Sequence, residues 1–535
     1  MVEEATAAGE RKPGKYIVGM TRVVLFLLLL NLPLLFLLRH LGGFQLGYDE
    51  AWRILAATAD GTWRAFFARW FVDGLPVPVS IPYEVFVRVA AGALSRGSLV
   101  LFLRLLNLGV FLLIVFQTRI LARRLGLSAP AAVLSALAVA IHPYLAPSAL
   151  VIKEHTILVA LFLAWWIRLA GRISRGREPG VGELFAAGAV MVWSPLAALP
   201  AFLTIVVAAL FLRRRGRAVP PILLLSGVLV LLLAGWYYAG SRSLFEKILH
   251  WFDRHAVALP RRKGLFFNED EQTFRAYLLG TASLIGFRRT IFPANLILGC
   301  CWGFAVGSAC CGLLRGKRRP EPLFSFGALL LPPLALGATF LGTGVAAARM
   351  VTWTIPLFVI AMIGFGFEAP RRTPGRAAAT LLFFLALPVG WHSLPTTGRP
   401  ITAFLDQAPV PFDRTRDVVL HSSVLTYFPH QVLDPEAPKG VLTDPNVWFT
   451  EYLDPSFPMR RHFIPKNASW NDDRLRRFSG GAIWNVHCYE RYEPIVKRLE
   501  TVPFGGRARV EAFDRWPLFW FRVTRADSPP AGTDS

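Results

Sequence analysis

Long apolar blocks are the feature that most restricts how this chain can fold. Hydrophobic residues make up 54% of the 535-residue sequence, and they are gathered into blocks rather than spread evenly. A helix needs about 20 mostly apolar residues to cross a bilayer, and by that measure about eleven blocks before residue 395 are long enough. We therefore expect an α-helical polytopic membrane domain at 1–395 and a separate soluble domain at 396–535.

Basic residues recur after every second block and predict the topology. Lysine and arginine gather in cytoplasmic loops, and the clusters here are Arg11–Lys15, Arg119–Arg124, Arg172–Arg177, Arg213–Arg217, Arg315–Arg319 and Arg371–Arg376. We expect a cytoplasmic N-terminus in a plasma (bacterial inner) membrane, with loops 41–98 and 241–292 and the C-terminal domain on the outer face. The net charge of +23 belongs largely to these turns, so no nucleic-acid partner is expected.

Both large outer loops contain amphipathic stretches. In the first loop aromatic residues recur at helical spacing, namely Trp63, Phe66, Phe67, Trp70 and Phe71. Such a stripe is typical of a helix that lies in the membrane interface, and packing against the bundle is the alternative. A further stretch, 181–212, is short for two full spans, and we interpret it as a short helical pair.

The region after residue 395 has a different pattern. Short apolar runs at 418–420, 440–442, 481–486 and 518–521 alternate with a helix-like stretch at 489–502. This alternation predicts an α/β domain.

Asp49 and Glu50 form an acidic pair just beyond the first apolar block. Carboxylates this close to a bilayer are costly unless they have a function. They are candidates for catalysis, and the alternative is that they stabilise the N-terminus of the following helix.

Several short motifs occur in an order and spacing that together resemble a known superfamily. They are Tyr48–Ala51, Gly61–Trp63, Ile81–Glu84, Leu121–Gly126, His142-Pro143, Lys153-Glu154, Trp193–Pro195 and Arg349–Pro356. With them the chain resembles the GT-C glycosyltransferases that use polyprenyl-phosphate sugars, particularly the branch of the protein O-mannosyltransferases and the lipid A aminoarabinose transferase. The resemblance implies a GT-C-like helical fold and inverting transfer of a sugar from a polyprenyl-phosphate donor to a glycan, lipid or protein acceptor.

The chemistry of that reaction suggests roles for individual residues. Asp49, with Glu50 beside it, would act as the base, and Arg349 would hold the leaving phosphate. Snorkelling to the interface is the alternative for Arg349. Glu154, Glu84 and His155 could orient the acceptor, although Glu154 could simply pair with Lys153.

The basic cluster Arg261, Arg262 and Lys263 could gather the anionic donor or be a solvated surface. No cofactor is certain, and a divalent metal held by Glu84 and His155 with Asp49 is left open. The family often has lysine or histidine before its second span, where this chain reads Val79-Ser80-Ile81-Pro82, so the resemblance does not extend to a phosphate or metal contact from that position.

Two other classes of protein would also have many spans. A transporter or flippase of lipid-linked saccharides predicts charges at mid-membrane depth and repeated halves, neither of which is evident here. A non-catalytic scaffold of envelope biogenesis predicts that Asp49 is dispensable.

Overall fold

The computed structural model describes fourteen stretches of the chain, with residues 35, 37, 38, 46, 228 and 405 in addition. The stretches are 48–59, 62–64, 66, 81–175, 274–286, 292–314, 327–337, 351–367, 373–389, 410–422, 424–442, 468–487, 493–515 and 518–527. Three predicted segments lie outside them, namely residues 67–71 of the aromatic stripe, residues 241–273 of the second large loop, and the helical pair at 181–212.

Residues up to 389 are helical wherever regular structure is described. Two short helices, α1 (Tyr48–Ala59) and α2 (Ile81–Ala93), precede the first long one. The helices that follow are α3 (Arg96–Arg124), α4 (Ala129–Ala140), the single turn α5 (Leu145–Ser148), α6 (His155–Ser174), α7 (Phe274–Ile285), α8 (Phe292–Leu314), α9 (Gly327–Gly337), α10 (Thr354–Phe367) and α11 (Pro374–Ala386).

The boundaries of α3 follow from its sequence. Ser95 precedes the helix with an extended backbone, and its hydroxyl accepts a hydrogen bond from the Ser98 amide, as an N-cap does. Arg123 and Arg124 lie in the last turn, where cations favour the negative end of the helix dipole. Gly126 then adopts a φ of 95°, which glycine adopts without steric cost, and the chain turns towards α4.

Within the described part of the chain, two helices are long and apolar enough to cross a bilayer, Arg96–Arg124 and Pro293–Cys311. Large apolar side chains on α3 are solvent-exposed at helical spacing, and they are Leu101, Leu105, Leu113, Phe116 and Ile120. The opposite side of α3 is buried. One buried face and one exposed apolar face are what a helix between protein and lipid requires. The predicted number of about eleven spans stays a prediction.

The helices pack around one large apolar cluster. It draws buried side chains from α3, α4, α6, α8, α10 and α11. Phe162, Trp353, Phe358 and Phe383 contribute edge-to-face ring contacts to it. This cluster is the core of the helical part, and a second cluster, which contains α1 and α2, lies apart from it.

Residues 418–525 contain a six-stranded mixed sheet with the strand order β3-β2-β1-β4-β6-β5. The first four strands pair in parallel, and β5 and β6 form an antiparallel edge. The strands are β1 (Val418–His421), β2 (Lys439–Leu442), β3 (Ser469–Trp470), β4 (Ile483–His487), β5 (Ala508–Arg515) and β6 (Leu518–Arg525). The helices among them are α12 (Val424–Leu433), α13 (Asp472–Arg476) and α14 (Glu493–Thr501).

The α/β pattern predicted for the C-terminal region is confirmed. The apolar runs at 418–420, 440–442, 481–486 and 518–521 lie in or at β1, β2, β4 and β6, and the helix-like stretch contains α14. Strands buried on both faces, such as β1 and β4, read as continuous apolar runs, which is why the sequence signal was clear.

Candidate active site

The acidic pair lies in the first turn of α1. Asp49 and Glu50 are the second and third residues of this helix. The contacts of the Asp49 side chain lie outside what the structure describes. The Glu50 side chain is buried, and its Oε1 accepts a hydrogen bond of 2.6 Å from the backbone amide of Ile152. Glu50 therefore joins α1 to the chain just before α6.

Arg53, one turn along α1 from Asp49, is the centre of a buried ionic cluster. Its Nη1 lies 2.9 Å from Oε1 of Glu84 on α2 and 2.6 Å from Oε2 of Glu154, the residue that precedes α6. All three side chains are at most 6% exposed. One guanidinium thus holds together three segments that are far apart in sequence.

An aromatic ring and a second arginine complete this cluster. The Arg53 guanidinium lies over the ring of Tyr83, with 5.5 Å between Cζ and the ring centroid. Arg104 of α3 is also buried, and it interacts electrostatically with Glu50. Arginine suits such sites because its delocalised charge is only weakly hydrated.

The two carboxylates that share Arg53 have different proton affinities. Burial raises the pKa of Glu84 to about 7, against the opposing attraction of Arg53. Burial also acts to raise the pKa of Glu154, but Arg53 and His155 outweigh it and lower that pKa to about 2. Glu154 is therefore the ionised partner of Arg53, and Glu84 is close to exchanging a proton at neutral pH.

The backbone around the cluster is fixed by long-range hydrogen bonds. Nδ2 of Asn107 on α3 donates a hydrogen bond of 2.6 Å to the carbonyl oxygen of Val151. Val151 directly precedes Ile152, whose amide binds Glu50. At the other end of α1, Nη1 of Arg88 donates a hydrogen bond of 2.8 Å to the carbonyl oxygen of Ala57. The Arg88 guanidinium also lies 5.1 Å from the ring centroids of Trp63 and Phe66. α1 is therefore held at both ends.

Three of the acids singled out from the sequence meet at α1. Glu50 is part of this helix, and Glu84 and Glu154 bind its Arg53. Their roles stay a prediction, although the geometry favours a positioning role for Glu50. His155 is the first residue of α6, half-buried and within electrostatic range of Glu154. The predicted phosphate-binding residues Arg349, Arg261, Arg262 and Lys263 lie outside the described residues.

Arg53 was not among the residues predicted to be functional, although it lies only two residues beyond the motif Tyr48–Ala51. The available signal was its position four residues after Asp49, because residues i and i+4 share a helix face. A short sequence window that contains both acids and an arginine is typical of a solvated surface. Only the contacts of Arg53 with the distant Glu84 and Glu154 distinguish it from a surface residue.

No three histidine, cysteine, aspartate or glutamate side chains among the described residues are grouped to hold a metal. Between Glu84 and Glu154 the cation is the Arg53 guanidinium. The metal site considered for Glu84, His155 and Asp49 stays a hypothesis, because the Asp49 side chain lies outside the described part of the chain.

Comparison with known proteins gives little similarity at the level of sequence. No protein-family model matches the chain, and no curated protein matches it. Among solved structures, the chain is similar to two crystal structures of ArnT from Cupriavidus metallidurans, one bound to undecaprenyl phosphate and one in the apo state.

Both similarities extend over 94% of this chain and 98% of the ArnT chain at 15% identity, with TM-scores of 0.39 and 0.38 respectively. At such TM-scores the likeness identifies neither the fold nor the activity of this chain.

Proposed function

We propose that this protein is a membrane-embedded glycosyltransferase that moves a sugar from a polyprenyl-phosphate donor to an acceptor at the outer face of the membrane. The observation that carries the proposal is the buried cluster of Arg53, Glu84 and Glu154, built on α1, whose second residue is Asp49. Buried ionic groups beside a bilayer are costly, and such groups with shifted pKa values concentrate at functional sites.

In the proposed reaction Asp49 takes the proton from the acceptor hydroxyl or amine. The freed electron pair forms the new bond to the anomeric carbon, while the bond from that carbon to the phosphate oxygen breaks. That bonding pair leaves with the phosphate, so polyprenyl phosphate is released and the anomeric configuration inverts. Arg349 and the cluster Arg261, Arg262 and Lys263 are proposed to stabilise the departing phosphate.

The residues around Asp49 have supporting roles in this proposal. Arg53 and its two acids fix the face of α1 that positions 49 and 53 share. Glu50 fixes α1 against Ile152. Such rigid support matters because a misplacement of about 1 Å in reacting groups can cost on the order of a hundredfold in rate.

A complementation experiment tests the proposal. Envelope glycolipids and glycans from cells that lack the protein are analysed by mass spectrometry after expression of wild type or Asp49→Asn at matched levels. Asp473→Asn is the control, because Asp473 is an exposed acid on α13. We expect wild type and the control to restore a missing sugar mass, and Asp49→Asn to fail.

Full rescue by Asp49→Asn would overturn the catalytic assignment and favour a scaffold. A transporter would be indicated if wild type and Asp49→Asn both restored the glycan, and if the lipid-linked donor accumulated in cells that express neither of them. The mass difference restored by wild type would identify the class of sugar.

A further inference from the structure

α12 belongs to the C-terminal sheet domain, yet it packs against α1, the helix of the proposed site. Tyr427, Phe428 and Val432 of α12 are at most 2% exposed. They belong to the same buried apolar cluster as Ile54 and Leu55 of α1. The C-terminal domain therefore contacts the site helix directly.

The contact surface of α1 is separate from its functional surface. At 3.6 residues per turn, positions 49 and 53 share one face of α1, and positions 51 and 55 lie on the other side. Ala51 and Leu55 are buried in the apolar cluster that contains α12. The apolar side of α1 thus packs in that cluster, while Arg53 binds Glu84 and Glu154.

A polar contact also fixes α12 to the helical part. Nη1 of Arg96, the first residue of α3, donates a hydrogen bond of 3.2 Å to the carbonyl oxygen of Gln431. That carbonyl lies near the C-terminal end of α12, where a cation is favoured by the helix dipole. Lys439 donates to the carbonyls of Asp434 and Ala437, just beyond the helix.

Buried histidines join α12 to the sheet. Nε2 of His421, at the end of β1, lies 2.9 Å from Nδ1 of His430 on α12. Nδ1 of His421 lies 3.0 Å from the hydroxyl of Thr426. Sheet, α12 and α1 therefore form one continuous set of packed and hydrogen-bonded contacts, which is the physical requirement for coupling between them.

We propose that the C-terminal domain holds α1 in place through α12, and that Phe428 is a positioning residue for the reaction. This inference rests on the proposed function, because its importance for catalysis depends on the role of Asp49. The physical reason is the length of α1. A helix of 12 residues is marginal by itself in water, so its position depends on the packing around it.

The experiment uses the full chain and measures two quantities, the hydrogen exchange of amides 48–59 and the kcat and KM of sugar transfer. Phe428→Ala removes a fully buried aromatic side chain of α12, and Phe428→Leu is the conservative variant. Phe383→Ala is the matched control, because Phe383 is equally buried but lies in the other apolar cluster. Arg96→Met is a milder second variant that removes only the hydrogen bond to Gln431.

We expect Phe428→Ala to speed exchange in α1 by about tenfold or more and to lower kcat by about 10 to 100-fold with little change in KM for the donor. Phe428→Leu and Arg96→Met should shift both readouts less, in the same direction. Phe383→Ala should leave exchange in α1 at the wild-type rate.

Unchanged exchange in α1 for Phe428→Ala, or an equal increase for Phe383→Ala, would overturn the inference whatever the activity. Faster exchange in α1 with kcat unchanged would also overturn it, because α12 would then hold α1 without serving the reaction. A wild-type protein without transferase activity would instead overturn the proposed function and leave the exchange result for α1 intact.

Discussion

The Nη1 atom of Arg53 lies 2.6 Å from Oε2 of Glu154, and this contact joins α1 to the start of α6 inside the protein. The same atom lies 2.9 Å from Oε1 of Glu84. A charge so deeply buried is held in place by its partners, and removing one partner leaves the others without compensation.

Arg53→Met should destabilise the protein strongly. The substitution keeps the apolar stem but leaves Glu84 and Glu154 buried without a cation, which typically costs about 3–5 kcal/mol. Thermal unfolding in detergent measures the loss. Arg414→Met is the control, because Arg414 pairs with Asp434 at 2.7 Å but is 57% exposed, and exposed pairs contribute about 0–1 kcal/mol. Equal losses in the two variants would contradict the central role of Arg53.

Glu50→Ala and Glu50→Gln should differ from each other. Alanine leaves the buried amide of Ile152 without its acceptor, at a cost of about 1–3 kcal/mol. The amide oxygen of glutamine can accept the same hydrogen bond, but the substitution removes the negative charge that interacts with buried Arg104. We therefore expect Glu50→Gln to lose less stability than Glu50→Ala and to lose sugar transfer only a few-fold. Unfolding midpoints and initial rates check both. A loss of transfer in Glu50→Gln as complete as in Asp49→Asn would show that Glu50 is itself catalytic.

Glu84 should make stability depend on pH above the usual titration range of glutamate. Its pKa is about 7 in the folded protein against 4.5 ordinarily. Between these values the folded state binds more protons than the unfolded chain, so stability falls as pH rises. Glu154 has a lowered pKa of about 2, and its contribution is lost only as pH falls below about 4.5.

Glu84 titrates within the range from pH 5 to 8. The buried histidines His421 and His430 have lowered pKa values, so they act in the opposite direction in the lower part of this range. The contribution of Glu84 is therefore measured as the difference between wild type and Glu84→Gln. We expect its contribution to the free energy of unfolding to fall by about 2–3 kcal/mol over that range. Glu84→Gln should remove this part of the slope, whereas Asp473→Asn should retain it. Unfolding at a series of pH values measures the slopes, and parallel curves for wild type and Glu84→Gln would refute the assignment.

Gly440→Ala should disrupt the C-terminal sheet. A Cβ at this position of β2 would lie 2.7 Å from the carbonyl oxygen of Ala468 and would overlap the Trp470 ring. Because overpacking in a well-packed core typically costs about 1–3 kcal/mol, we expect a lower unfolding midpoint for the domain. Gly505→Ala is not a suitable control, since Gly505 has a φ of 71°. Gly375→Ala is suitable, since a Cβ there meets no atom within 4 Å.

Local patterns predicted the parts of this protein that local physics decides. The length of a membrane-crossing helix and the burial of both faces of a parallel strand leave signals in short windows of sequence. These signals predicted a helical N-terminal part and located β1, β2, β4 and β6. Glu50 was recognised because carboxylates beside an apolar block are unusual, and Glu84 and Glu154 were recognised because they stand in motifs that resemble those of a known superfamily.

The partners of those residues were decided only by the tertiary structure. Arg53 binds Glu84 and Glu154 because α1, α2 and the segment before α6 pack together, and no local pattern records that approach. The contact between α12 and α1 likewise joins the helical N-terminal part of the chain to the C-terminal sheet. The sequence by itself determined which residues are apolar, charged or helix-forming. Only the packing of distant segments decided which buried charges meet, because the energy of a buried ion depends on its neighbours in space.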